Sequence, residues 1–386
     1  MSERFDNLIS HFERLVRRDP AQRGLIGADG SGPGRGELVP AARLFAEHSG
    51  AKGSVGILTG FFVPLGRPEI DVSPEDASVD VRERPISGAA GRAETDGPPG
   101  AAVLAAVLAE LGFSPLIITD ELCQDVATEA ARSAGLSAES VVACPIAEDA
   151  AAAWLRSFKS SGWARQMTHL VSVERVGPSH HNDSIRQNDP EAHVSGEFLR
   201  NVPESAFDRC FNMRGETIDH VTASLHRLFQ SDEAADARLT DGQRGSGDAP
   251  ATEERDRPAP FTIGVGDGGN EIGMGRFAWS HLRERIRGQA ADRIPCRVAA
   301  ERTIVAGTSN LGAYALAASI AVVHERVDVL TPHTCASQHR ILERMVEHAG
   351  AVDGVTKVAE PTVDGVPFLT GIQPWAAIRR ALALAE

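Results

Sequence analysis

What most narrows the folds open to this chain is a rhythm: short apolar, β-branched runs separated by Ala- and Leu-rich stretches of helical period. The runs fall at residues 55–59, 116–119, 141–144, 169–173, 261–265 and 303–306, with 297–299 as a shorter candidate. Helical patterns lie at 100–111, 125–134, 147–158, 217–230, 273–289 and 311–323, and another follows at 337–349. The apolar runs do not alternate with polar residues, so both faces of each strand are expected to be covered. Strands of that kind joined through helices form a mostly parallel sheet with helices on both faces. The expected class is α/β, a Rossmann-like layered sandwich.

Three stretches interrupt the rhythm, at about 67–92, 178–205 and 231–258. Each is rich in Gly, Pro, Ser or charged residues and poor in large apolar ones, so each is expected to add little core. The reading is one α/β domain over 1–386 with three polar surface insertions. Near the start, Phe5, Leu8, Ile9, Phe12 and Leu15 share a helical stripe among acids and bases. That is the pattern of a docking helix rather than a secretory leader. No run is long and apolar enough to cross a bilayer, so no membrane partner is expected. A formal charge of −14 has the wrong sign for a nucleic-acid surface. Five cysteines, at 123, 144, 210, 296 and 335, contain no C-x-x-C pair, which signals neither a disulfide framework nor a zinc ribbon. A cytoplasmic protein is expected; assembly into a homo-oligomer is left open.

The chemistry gathers where the strands end. Residues 55–59 run into Thr59-Gly60, 116–119 into Asp120, 169–173 into Glu174-Arg175, 261–265 into a glycine-rich segment, and 303–306 into Thr308-Ser309-Asn310. In a parallel sheet these exits share one edge, and ligands bind in the crevice outside it. The glycine-rich segment is the densest: Asp267, Asn270 and Glu271 stand among Gly264, Gly266, Gly268, Gly269, Gly273 and Gly275. Glycines let a ligand approach the main chain closely. The acids offer oxygen ligands to a divalent cation such as Mg²⁺ or Mn²⁺, or act as general bases. Gly264-x-Gly266-x-x-Gly269 also fits the spacing of a dinucleotide loop, although two acids overlaid on it would repel a pyrophosphate.

Thr308-Ser309-Asn310 precedes a helix and either caps it or holds a substrate carboxylate at its N-terminus. Glu94 and Asp96 stand before Pro98-Pro99, where they either cap a helix or add metal ligands. Arg214 either pairs with a carboxylate or stays on the surface. His333, Cys335 and His339 have zinc-ligand spacing without a fourth partner nearby, and His180-His181 is expected to face solvent.

In order, the strings VGILTGFFVP (55–64), AETDGPPGAA (93–102), VSVERVG (171–177), NMRG (212–215), IGVGDGGNEIGMG (263–275), IVAGTSNLGAYAL (304–316), GAVDGV (350–355) and VDGVPF (363–368) resemble the D-glutamate cyclase family. The resemblance runs from about residue 22 to the end, outside the three insertions. It implies a hydro-lyase that converts D-glutamate to 5-oxo-D-proline and water, with D-glutamate or a related acidic amino acid as its partner. Leu311 and Glu301 depart from residues common in that family (Trp and Asp), which bears on substrate range.

That chemistry requires a base for the α-amine, and donors or a cation for charge developing on the γ-carboxyl. Asp267 and Glu271 are candidates for metal or base duty, with Asn270 orienting and Glu94 and Asp96 as further ligands. Glu174 and Arg175 would meet the amine and α-carboxylate. Thr59, Gly60, Arg214, Gly268, Gly269 and the Thr308-Ser309-Asn310 turn would complete the substrate pocket. Two other readings use the same residues: a metal-dependent hydrolase or phosphoryl-transfer enzyme, and a non-catalytic binder of acidic amino acids.

Overall fold

The computed structural model describes residues 3–46, 53–65, 91–230 and 259–385. Its strands are β1 (Ser54–Thr59), β2 (Phe62–Pro64), β3 (Gly91–Ala93), β4 (Ser114–Asp120), β5 (Val141–Cys144), β6 (Met167–Val173), β7 (Phe261–Gly266) and β8 (Arg302–Val305). Six of them form one sheet in the order β5-β4-β1-β6-β7-β8, and every neighbouring pair is parallel. The sheet starts at β1, winds outward through β4 and β5, then crosses back to β6 and winds the other way. Counting only these strands, the order is that of the doubly wound dinucleotide-binding fold, whose ligands sit where the winding reverses. Here that point lies between the carboxyl ends of β1 and β6. β2 and β3 make a separate antiparallel ribbon beside it, pairing Phe62 with Ala93.

The helices are α1 (Glu3–Val16), α2 (Leu38–Leu44), α3 (Pro98–Glu110), α4 (Gln124–Ser133), α5 (Glu148–Ser160), α6 (Asn182–Asn188), α7 (Ala192–Asn201), α8 (Trp279–Arg283), α9 (Ser309–Val323), α10 (Cys335–Ala349), α11 (Phe368–Gly371) and α12 (Gln373–Ala381). They cover both faces of the sheet. α3 is buried from Pro98 to Leu108 and α9 from Ser309 to Val322, which matches their Ala, Val and Leu content on every side. The two pass so closely that a Cβ on Gly100 would lie 2.8 Å from the Ala313 Cβ and 3.0 Å from the Asn310 Cα. α1 buries Ile9, Phe12 and Val16, each worth about 1.5–3 kcal/mol, so the stripe read from sequence is a docking face.

Five expectations need correction. The stretch 178–205 is no polar decoration: α6 and α7 bury Ile185, Val194 and Phe198, Val202 just after α7 is buried too, and Phe198 meets Trp279 edge-on at 5.3 Å. A short helix needs one apolar residue per turn to dock, and averaging composition over the stretch hides that. His180 within it is also buried, not solvent-facing. Residues 217–230 form two short 3-10 turns, Asp219–Val221 and Leu225–Phe229, rather than an α-helix. Residues 273–289 contain only α8, because the glycines there let backbone pass against backbone: a Cβ on Gly275 would sit 2.2 Å from the Arg297 carbonyl oxygen. The 297–299 segment makes single bridges to residues 273 and 274 rather than a strand. The other two expected insertions lie outside the described residues, except that residues 91 and 92 open β3.

Candidate active site

The carboxyl edge of the sheet carries a buried acidic cluster. Glu94 follows β3, Glu174 follows β6, Asp267 follows β7, and Asp96 lies just before α3. Asp364 joins them from the loop before α11. All five are buried. Among the described residues, two sets of three bring one carboxylate oxygen each within 4.8 Å of one another: Asp96, Asp267, Asp364, and Glu174, Asp267, Glu271. Asp267 belongs to both. Beside it Arg23, from the loop after α1, places Nε 3.9 Å from Asp267 Oδ1 and donates from Nη2 to Asp364 Oδ1.

Hydrogen bonds divide these acids into two kinds. Glu271 is used up in folding its own loop: Oε1 accepts from the Asp267 and Gly268 amides at 2.9 and 2.6 Å, and Oε2 from the Gly269 amide at 2.7 Å. Asp96 is likewise engaged, accepting from Gly97 and Asn310 N–H through Oδ1 and from Ser309 N–H through Oδ2. In return Asn310 Oδ1 accepts from the Gly97 and Gly100 amides. Asp96 and Asn310 therefore clasp the N-termini of α3 and α9 to each other. By contrast both Asp267 oxygens, Asp364 Oδ2 and Glu94 Oε1 are buried without a hydrogen-bond partner among the described residues. Glu174 is intermediate, with Oε2 accepting from Ser309 Oγ at 2.6 Å.

Burial sets the protonation of the cluster. It pushes Asp267, Glu94 and Glu174 well above the usual carboxylate range, and neighbouring carboxylates add to the effect. Asp96 is pushed up to about 7 by burial and then by Asp364, against the pull of its amide donors. Burial alone would lower the Arg23 guanidinium, but Asp364 and Asp267 outweigh it and hold Arg23 charged. Glu174 and Asp364 also hold left-handed backbone, at φ 47° and 55°, a conformation disfavoured for non-glycine residues and often found at functional sites.

A crevice of about 210 Å³ opens onto this cluster. Its wall includes Arg23, Glu94, Glu174, Asn270, Met213 and Arg214. Asp96, Asp267 and Asp364 lie in the layer behind. The volume is below that of most drug-sized pockets and suits a molecule of amino-acid size. A larger cleft of about 800 Å³ lies against α1, lined by Arg14, Arg17, Arg18 and Arg287 among others, and contains none of the clustered acids.

The remaining candidates from sequence fall into place around the crevice or away from it. Asn270 Nδ2 donates to the Phe211 carbonyl at 2.8 Å, fixing the glycine-rich loop to the Asn212–Arg214 wall. Gly269, at φ 101°, makes the turn that brings its amide to Glu271. A Cβ on Gly268 would lie 2.9 Å from Met213 Sδ. Arg214 is at the rim and donates to the Val355 carbonyl at 3.0 Å. Thr308 Oγ1 caps α9 by accepting from Leu311 N–H. Thr59 is buried at the end of β1 with Oγ1 unpartnered, and Gly60 turns at φ 102°.

Arg175 is not in the crevice. It is fully buried, bonded to Asp120 at 2.6 Å and to the Gly60 and Ala223 carbonyls, and so braces the β1 and β4 exits. The dinucleotide reading also fails on geometry: the glycine-rich loop follows β7 rather than β1, and no helix begins after it until Trp279. His333 is buried, with burial lowering it to about 4, whereas His339 faces Glu343; neither belongs to a metal-ligand grouping among the described residues. Glu301 accepts from Thr262 N–H at the start of β7, the sheet end opposite the crevice.

Sequence reading missed two residues. Asp364 lies in the quoted VDGVPF string, where its Asp-Gly pair reads as a turn. Nothing local marks Arg23. Its position is set by Asp19, which accepts from the Arg23 and Gly24 amides, and by Gly24, at φ 100°, where a Cβ would be 2.2 Å from the Arg285 carbonyl oxygen.

Fold and site together define a class: a doubly wound α/β protein with a small, acid-walled crevice at its switch point. Within that class the chain belongs to the D-glutamate cyclase-like, C-terminal family, whose model matches residues 12–189 and 244–374. It is 25% identical over 305 residues to the mitochondrial D-glutamate cyclase of Homo sapiens, covering 71% of this chain and 40% of that protein. The chain thus spans less than half the length of that relative. The matched spans contain Arg23, the acidic cluster and Asp364, and leave out 190–243, which holds α7 and the Asn212–Arg214 wall. Among the described residues no helix is long and apolar enough to cross a membrane.

Proposed function

We propose that this protein is a carbon–oxygen lyase that cyclises D-glutamate to 5-oxo-D-proline and water. Family membership supports the reaction class. The observation that carries the reading is a crevice of amino-acid size with two carboxyl groups, Glu94 and Glu174, and a guanidinium, Arg23, on one wall. Such a wall offers both signs that an amino acid carries.

The reaction balances internally. The substrate ammonium gives up two protons, its nitrogen bonds to the γ-carbon, and one γ-oxygen leaves with two protons as water. A base and an acid of similar strength are needed close together, and general acid–base catalysis contributes about 10²–10⁴-fold. Glu174 takes one ammonium proton and so frees the nitrogen lone pair for attack; the second proton leaves nitrogen as the C–N bond forms and passes to the departing γ-oxygen, and the proton on Glu174 afterwards restores Glu94. Glu94, held protonated by burial, supplies a proton to the departing oxygen. Because the attack is intramolecular, folding the substrate so that nitrogen faces the γ-carbon supplies much of the remaining acceleration.

A divalent cation fits the donor set. Asp267 and Asp364 present buried oxygens without partners, and carboxylate oxygens suit Mg²⁺ or Mn²⁺. Asp267 and Asp364 would hold it, and it would supply Lewis-acid polarisation of the γ-carboxyl when bound. Glu271 and Asp96, each with both oxygens taken by amides, stand outside this pair. We further place the protein in the cytoplasm as one α/β domain: none of the five cysteines is joined in a disulfide, as a reducing compartment would keep them.

Purified protein incubated with D- and L-glutamate, with and without Mn²⁺ or Mg²⁺, and assayed for 5-oxoproline by chiral chromatography tests the reading. Product from D-glutamate is expected. Its absence under every condition refutes the proposal.

A further inference from the structure

We infer that Arg23 determines substrate specificity by holding the α-carboxylate of an acidic amino acid. This rests on the reading of the crevice as an amino-acid site, but not on turnover. Of the two cationic side chains on the crevice wall, Arg214 is exposed and bonded to the Val355 carbonyl, whereas Arg23 is largely buried. Arg23 is also held from behind. Asp364 takes Nη2, Asp267 stands 3.9 Å from Nε, and Nε has no hydrogen-bond partner. A guanidinium has five N–H donors in a planar fork that matches a carboxylate. Asp19 and Gly24 fix the backbone beneath it.

The chemistry assigns which carboxylate it takes. The γ-carboxyl must lose its charge and an oxygen, which calls for a proton rather than a fixed cation. A permanent guanidinium would hold it as a carboxylate, a poor electrophile. The α-carboxylate keeps its charge from substrate to product, and a permanent cation suits it. Asp267 and Asp364 then also position Arg23 from behind, through Asp364 Oδ1 and the Asp267 Oδ1 at 3.9 Å.

The experiment compares binding of D-glutamate, D-glutamine (γ-carboxamide) and D-isoglutamine (α-carboxamide) to wild type, Arg23→Gln and Arg23→Lys by calorimetry, beside the turnover assay. Loss of a charge-assisted bidentate pair should weaken D-glutamate and D-glutamine about 100-fold in Arg23→Gln, and D-isoglutamine less than about threefold. Arg23→Lys keeps the charge next to Asp364 and should lose about tenfold on the first two ligands only. It carries the test if the Gln variant does not fold. Equal weakening of all three ligands, weakening confined to D-isoglutamine, or a wild type that binds none of them overturns the inference. If binding follows the expected pattern but no 5-oxoproline forms, the cyclase reading fails and the assignment of Arg23 stands.

Discussion

Two parts of the same sheet edge use identical residue types for opposite ends. At the clasp between α3 and α9 and in the glycine-rich loop, Asp96 and Glu271 spend their oxygens on six backbone N–H bonds. A few ångströms away, Asp267, Asp364 and Glu94 keep buried oxygens that nothing among the described residues satisfies. The first group makes the frame; the second loads it with unrelieved polarity. A buried carboxylate without partners costs stability, and that cost persists only where function recovers it. The satisfaction of lone pairs, rather than burial or residue type, separates the two groups.

Removing members of each group should break this distinction if it is false. The largest effect is expected on catalysis from Glu174→Gln, which should lower kcat by about 10²–10⁴-fold with the fold intact. A loss below about tenfold, measured in the 5-oxoproline assay, would remove Glu174 from the chemistry. Next comes Glu271→Ala, which strands three amides and should cost about 3–5 kcal/mol in denaturant unfolding. A cost under about 1 kcal/mol would put Glu271 back among the free acids. Asp267→Asn should behave in the reverse manner: activity falls by about 10–100-fold while the free protein melts at the same or a higher temperature. A folded Asp267→Asn protein with full activity would sink its assignment.

The smallest effect tests the rule outside the crevice. His180 is half satisfied, with Nδ1 against Ser184 Oγ and Nε2 unpartnered, and burial lowers it to about 3. Its folded value lies below the ordinary 6.5, so the unfolded chain takes up the proton first. The stability it contributes is present above pH 6.5 and drains away as pH falls toward about 3. His180→Gln should flatten that acid limb in a series of thermal melts, leaving neutral stability little changed.

The frame was more legible in sequence than the working groups. β1, β4, β6 and β7 were readable because strands buried on both faces are apolar throughout, and α3 and α9 because helices buried all round are too. α6 and α7 were not, since one apolar residue per turn drowns in a polar average. Asp267, Glu174 and the Thr308-Ser309-Asn310 turn were found because strand exits in a parallel sheet converge by construction. Arg23 escaped because its place comes from a loop folding against Asp19 and Arg285, and Arg175 misled because a strand-exit arginine can as well turn inward to Asp120.

The pairing of Arg23 with Asp364 joins positions 341 residues apart. Contacts of such separation close the longest loops and are expected to form after local structure is in place. The sheet and its α3–α9 clasp can thus assemble while the acids are still hydrated. Maturation of the crevice becomes a late, separable event in folding, and a refolding chain should regain its helical signal before it regains ligand binding.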